Sequence, residues 1–219
     1  MPDGEERVVV VSTHLDDAVM SCWSLLDGAS NVTVVTAFTG GPEPGFLGEW
    51  DSDSGAPDSA TRMQQRRAED VAALAVAACP YVHLGLLEVE YGGGACPPDA
   101  IAVHLDGADV VYAPAGIGLR HVNEEHGRVR DVVLALRPDA RLYADQPYCG
   151  FRPDTELPSE LGGIGRAREV AALNANQRER KARAIRCYAG ELPKLERPEA
   201  FGSFARPERL GYEVFWVTT

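Results

Sequence analysis

The chain has no excess of basic residues, no CxxC pair, no GxGxxG and no apolar run long enough to cross a bilayer. Lysine and arginine total 21 against 33 acidic residues, a formal net charge of −12. That charge repels a phosphate backbone and argues against a nucleic-acid partner. The longest apolar stretches, Val8 to Val11 and Val71 to Cys79, fall far short of the ~20 residues that span a membrane, and the first seven residues are acidic where a secretory signal would be basic. No membrane partner and a cytoplasmic location are expected. Five cysteines, Cys22, Cys79, Cys96, Cys149 and Cys187, are widely spaced and odd in number. They suit neither a disulfide framework nor a thiolate zinc site, so any metal must be held by nitrogen and oxygen. Without GxGxxG after the first strand, a dinucleotide-binding oxidoreductase is disfavoured.

With 45% apolar and 25% charged residues over 219 positions, the composition is that of a globular chain able to bury a sizeable core. Arg7 to Ser12 is a β-branched run without alternation, the pattern of a strand buried on both faces. Further strands are expected over Val32–Phe38, Tyr81–Leu86, Asp109–Pro114, Arg141–Asp145 and Gly211–Thr219. Helices are expected over Asp17–Asp27, Thr61–Cys79, Asp99–Leu105, Glu125–Leu136 and, long and charged, Ala167–Tyr188. No repeat or linker divides the chain, so one domain over residues 1–219 is expected.

Strands alternating with helices indicate an α/β fold, Rossmann-like and three-layered, with a mainly parallel sheet. In the strand order 3-2-1-4-5 the first and fourth strands are neighbours where the winding reverses, and ligands bind outside their C-terminal ends. The loops there read Ser12-Thr13-His14-Leu15-Asp16-Asp17 and Gly118-Leu119-Arg120-His121-Val122-Asn123-Glu124-Glu125-His126, and hold three of the five histidines. An imidazole and two carboxylates from one loop with an imidazole from its neighbour make a His₂/carboxylate set for zinc with a position left for water. The same HxDD at a strand-to-helix turn also reads as an N-cap with an acidic first turn.

The chain resembles the PIG-L/LmbE-like family of zinc-dependent N-acetyl-sugar deacetylases, in the branch whose first motif reads SPHLDDA, here Ser12-Thr13-His14-Leu15-Asp16-Asp17-Ala18. The resemblance extends to Val34–Phe38, Arg66-Arg67-Ala68-Glu69-Asp70, Pro114–Gly118 and Tyr143-Ala144-Asp145-Gln146-Pro147-Tyr148. It implies His14 and Asp17 as metal ligands and Asp16 as general base. The third ligand, the last histidine of an HxDH motif followed by Val-Arg-Asp, falls on His126 before Val129-Arg130-Asp131. The family's other histidine, which meets the oxyanion, maps onto His121, although four residues separate it from His126 where the motif has two. Thr13 and Ala18 stand where the family has proline and, in its larger branch, glutamate.

The implied function is hydrolysis of an acyl, typically acetyl, group from an N-acetylated amino sugar or glycoside, with Zn²⁺ or another divalent transition metal. An amidase of a thiol S-conjugate, mycothiol-like, and a non-catalytic sugar- or metabolite-binding domain are the alternatives. Arg66, Trp50 and Asp145 are expected near the substrate, Trp50 as a sugar-stacking face on a lid formed by Gly40 to Ala60. His83 and His104 are read as structural. The sequence leaves room for a homo-oligomer.

Overall fold

A computed structural model describes residues 6–117, 124–158, 161, 166–196 and 204–218. Its centre is a seven-stranded sheet in the order β3-β2-β1-β4-β5-β7-β6. The strands are β1 (Val8–Ser12), β2 (Val32–Gly40), β3 (Tyr81–Leu87), β4 (Val110–Pro114), β5 (Arg141–Tyr143), β6 (Arg166–Ala172) and β7 (Tyr212–Thr218). The first five pair in parallel, while β7 runs antiparallel to both β5 and β6.

β1 is buried at every residue, so its unbroken valine run suits a strand covered on both sides. Val8 and Val10 enter one core, with Val19, Trp23, Leu74 and Ile185. Val9 and Val11 enter the other, with Ile101, Val129 and Val133. The period-2 alternation of side chains thus feeds two layers from one strand. The first core is covered by helices α1 (Asp17–Ser21), α2 (Trp23–Leu26), α3 (Ser59–Ala77) and α6 (Ala175–Ile185), the second by α4 (Pro98–Leu105) and α5 (Glu124–Leu136). A short α7 (Leu192–Leu195) follows α6. None of the described helices is long and apolar enough to cross a membrane.

The largest departure from expectation is the segment read as one helix over Ala167–Tyr188. Its first part is the edge strand β6, in register with β7 from Arg166↔Thr218 to Ala172↔Tyr212. Pairing with a neighbour far along the chain overrides local helix propensity there. The helix begins only after a capping box, in which the Asn174 side chain accepts from the Gln177 N–H and the Gln177 side chain accepts from the Asn174 N–H. The helix expected over Asp17–Asp27 breaks at Cys22 into α1 and α2. There the Glu213 carboxylate accepts from the backbone N–H groups of Trp23 and Ser24 and binds Lys181 Nζ at 2.6 Å. Glu213 and Lys181 are fully buried, and such a pair costs on the order of 3–5 kcal/mol if one partner is removed. On α3, Arg62 and Arg66 are buried and Val71 is exposed. Carboxylates brought from other segments make that burial tolerable.

Candidate metal centre and substrate cavity

Asp16 sets the geometry of the turn between β1 and α1. Its φ of 126° is a strained conformation for a residue with a side chain, of the kind held only where surrounding contacts enforce it. Here Ser12 Oγ donates to the His14 carbonyl and accepts from the Ala18 N–H, while the His14 N–H donates to Asp17 Oδ2 at 2.8 Å. These bonds fold His14, Asp16 and Asp17 into one tight loop at the C-terminal end of β1.

His126, in the first turn of α5 and fully buried, reaches the same point. His14 Nδ1 lies 3.2 Å from His126 Nε2, and Asp17 Oδ2 lies 3.5 Å from each of those nitrogens. Ligands bound at 2.0–2.1 Å to a tetrahedral zinc stand about 3.3 Å from one another, so the three atoms have the spacing of one face of such a site.

The outer partners fix which nitrogen is free. His126 Nδ1 lies 2.7 Å from Asp145 Oδ1, and His14 Nε2 lies 2.8 Å from Glu125 Oε2. Each carboxylate accepts a ring N–H, which in a neutral imidazole leaves a lone pair on the opposite nitrogen. Those lone pairs and the Asp17 carboxylate converge, an arrangement that repels itself unless a cation lies between. His14, Asp17 and His126 are also the one group of potential metal ligands of this kind found among the described residues.

The electrostatics favour positive charge at this point. Burial works against a charged His14, yet the Asp17 and Glu125 carboxylates outweigh it and hold the imidazole well above its usual pKa. Burial would also raise the Asp17 pKa, but the His126 and His14 rings and the His14 N–H bring it below the usual range. Asp16 goes the other way: burial, then the neighbouring Asp17 carboxylate, push it well up. Two adjacent carboxyls are thereby driven apart, the pattern by which one becomes a ligand and the other a proton acceptor.

His14 and Asp16 form part of the wall of an open cavity of about 360 Å³, together with Trp50, Arg66, Val89, Glu125, Tyr148 and Glu191 among others. Arg66 is buried, 2.8 Å from Glu88 and 3.6 Å from Glu191. Trp50 donates through Nε1 to Glu191 at 2.7 Å and through its backbone N–H to Glu90, while Lys194 Nζ donates to its carbonyl. Arg62 joins Glu191 at 2.8 Å and Glu69 at 3.0 Å, and fits there because a side chain at Gly190 would overlap its guanidinium.

Of the residues expected near substrate, Arg66 and Trp50 therefore line the cavity, whereas Asp145 does not. Its two oxygens are taken by His126 and the Ile117 N–H behind the histidine, and it is fully buried. His121 lies outside the described residues. His83 is bonded to Asp70 at 2.8 Å, away from the cavity. Sequence reasoning missed Glu125, Tyr148 and Glu191. Glu125 had a signal, since it precedes His126 at the start of a helix next to the expected site. Tyr148 had one too, as the last residue of the Tyr143–Tyr148 motif after β5, whereas Glu191 had none, because only tertiary packing carries its segment to the cavity.

Similar solved structures include a zinc-inhibited form of teicoplanin deacetylase Orf2, 25% identical with a TM-score of 0.78, covering 97% of this chain and 98% of that one. The A40926 pseudoaglycone deacetylase Dbv21 is 26% identical at a TM-score of 0.78, covering 98% and 97%. N,N'-diacetylchitobiose deacetylase from Pyrococcus horikoshii is 14% identical at 0.55 over 85% and 71%, a likeness of fold alone. No protein-family model and no curated protein matches the chain.

Proposed function

We propose, from the resemblance to the PIG-L/LmbE-like N-acetyl-sugar deacetylases that these solved structures bear out, that the chain is a zinc-dependent hydrolase removing an acetyl group from the amide nitrogen of an N-acetylated amino sugar or glycoside. The observation that carries this reading is the convergence of His14 Nδ1, Asp17 Oδ2 and His126 Nε2 within 3.2–3.5 Å of one another beside the cavity wall formed by His14 and Asp16. Those three residues would hold the metal. A divalent ion bound by two imidazoles and a carboxylate lowers the pKa of water toward ~7 and polarises a carbonyl.

The chain's own residues supply the rest. Asp16, adjacent to the ligand Asp17 and facing the cavity, takes the proton from the attacking water and returns it to the leaving amine. Burial and the neighbouring Asp17 carboxylate raise its proton affinity above that of a free carboxylate, the direction that favours it as a base toward water. Asp145 and Glu125 keep the two imidazoles in the tautomer that presents a lone pair. Arg66, held between Glu88 and Glu191, presents a fixed cation on the cavity wall that orients polar groups of the substrate. Trp50 offers its ring as a stacking face for the sugar. We assign the oxyanion contact to His121, as the motif implies.

The relatives act on teicoplanin and on A40926 pseudoaglycone, and this supports a glycoside as substrate over a free thiol conjugate. The test is release of acetate and amine from methyl N-acetylglucosaminide, other N-acetyl-hexosaminides and N-acyl thiol conjugates. The protein is stripped with chelator and titrated with Zn²⁺, Co²⁺, Mn²⁺ and Ni²⁺ from below one equivalent, because Orf2 is known in a zinc-inhibited form. Metal-restored hydrolysis of the hexosaminides supports the reading. Hydrolysis of the thiol conjugates alone moves the substrate class, and no hydrolysis with any metal overturns it.

A further inference from the structure

The proposed chemistry makes no use of Lys181 on α6 and Glu213 on β7, which pair at 2.6 Å in full burial. A buried ion pair is often no more stabilising than two well-packed apolar side chains of the same volume, and its best-attested use is to fix one arrangement among several. The question is what this pair fixes.

On one side, Glu213 accepts from the N–H groups of Trp23 at 2.7 Å and Ser24 at 2.8 Å, just past the break at Cys22 where α1 ends. α1 is five residues long and begins with Asp17. A helix that short does not hold its own shape, so the contacts at its two ends decide where Asp17 stands.

On the other side, Lys181 Nζ lies 5.5 Å from the centroid of the Phe151 ring, within the range of a cation–π contact. Phe151 has a φ of 54°, a conformation that a residue with a side chain keeps only where its surroundings enforce it. Its N–H donates to Gln146 Oε1, and the Gln146 N–H donates to Ser21 Oγ at the end of α1. The same loop carries Asp145, which holds His126 Nδ1, and Tyr148, edge-on to the His126 ring. Cys22 sits where the two sides meet. After burial itself, the groups that act on its thiol are Glu213, Lys181, Asp145 and Asp17, so the ion pair and two carboxylates of the metal centre lie within electrostatic reach of one side chain.

We propose that Lys181 and Glu213 are positioning residues of the metal centre. Bound to each other, they lock the short helix that presents Asp17 to the loop that holds His126 through Asp145. The inference rests on the metal centre described above and assigns a task there to two residues that do not touch it.

The test compares zinc affinity, by chelator competition, in the wild type, Lys181→Met/Glu213→Gln and Leu105→Ala. Methionine and glutamine keep the volume and remove both charges, and glutamine still offers one oxygen to the Trp23 N–H. Leu105 is buried at the end of α4, ahead of β4 and so at the end of the parallel strands opposite the metal centre. Its truncation destabilises the core without touching the joint, and thermal melts confirm the loss. The double variant should bind zinc about tenfold more weakly, the lower end of what loss of a ligand's outer partner costs, while Leu105→Ala stays within about twofold. In the metal-free proteins, ¹⁵N shifts of the His126 ring should show one tautomer in the wild type and Leu105→Ala and a mixture in the double variant.

A folded double variant that binds zinc within about twofold of wild type overturns the inference, as does an equal loss in Leu105→Ala, which would make the effect one of general stability. If the double variant does not fold, Phe151→Leu decides, because it removes the ring from Lys181 and leaves the ion pair whole. A loss of threefold or more there supports the inference and an unchanged affinity overturns it. The metal centre can fail separately. Wild-type protein that binds no zinc removes it, and the ¹⁵N comparison then decides whether the pair still positions His126: a tautomer mixture confined to the double variant supports that, and unchanged shifts overturn it.

Discussion

Asp145 never touches the cavity, yet its replacement by asparagine should weaken the metal centre. Oδ1 accepts from His126 Nδ1 at 2.7 Å and Oδ2 accepts from the Ile117 N–H at 3.0 Å, both in full burial. Asparagine has one acceptor oxygen, and the backbone N–H of Ile117 cannot reverse its polarity. If the amide oxygen stays with Ile117, the amide NH₂ faces His126 Nδ1 and turns that nitrogen into an acceptor. The ring proton then moves to Nε2, the atom that lies 3.2 Å from His14 Nδ1, and the lone pair meant for metal is lost. If the amide flips, a buried N–H is left opposite an N–H, at a cost of ~1–3 kcal/mol. Removing such an outer partner weakens metal binding 10–100-fold, which is about 1.4–2.8 kcal/mol. Chelator competition measures the affinity, and ¹⁵N shifts of the histidine ring in the metal-free protein report its tautomer. Affinity within twofold of wild type, with Nδ1 still protonated, would refute the reasoning.

Asp16→Asn should retain the metal and lose 10²–10⁴ in kcat, the usual range for a general base, and a parallel loss of metal would place Asp16 among the ligands instead. Glu191→Ala removes one of the two carboxylates that bind Arg62 and the acceptor of Trp50 Nε1 and should destabilise the protein by about 1–3 kcal/mol in denaturant melts. Against its burial, Arg66, Trp50 and Arg62 hold the Glu191 carboxyl below its usual range. Its contribution is therefore full above the unfolded value of ~4.3 and drains as pH falls through the lower folded value, so the gap between wild type and variant should be constant from about pH 6 to 8 and narrow only below about 4.5. Burial raises the thiols of Cys79 and Cys96 to about 11 and that of Cys149 to about 12. With on the order of a hundredfold less thiolate than a free cysteine at pH 8 for Cys79 and Cys96 and roughly a thousandfold less for Cys149, all three should resist iodoacetamide until the protein unfolds, and rapid labelling of the folded protein would contradict this.

The parallel half of the sheet was legible because it is built from valine-rich strands whose burial on both faces leaves an unmistakable pattern, as in β1 and β2. The order of the first five strands followed from the same alternation, and with it the meeting of His14 with His126. β6 was not legible. It pairs only with β7, more than forty residues on, and its Arg-Ala-Arg-Glu sequence has no buried face to betray the two-residue period. The burial of Arg62 was not legible for a related reason. An arginine in the middle of a helix reads as solvated unless its carboxylate is known, and Glu191, which binds Arg62, lies more than a hundred residues further along the chain. Asp145 was correctly noticed and wrongly placed, because a carboxylate at a strand end gives no sign whether it faces the ligand or the residue behind the ligand.

The most direct measurement is the metal stoichiometry of the purified protein after exhaustive dialysis against zinc, with His126→Ala and Asp17→Ala prepared alongside and folding checked by circular dichroism. One equivalent retained by the wild type and lost by both folded variants is the expected result. Folded wild-type protein that retains no metal, or variants that retain as much as it does, would contradict the metal centre on which the proposed hydrolysis depends.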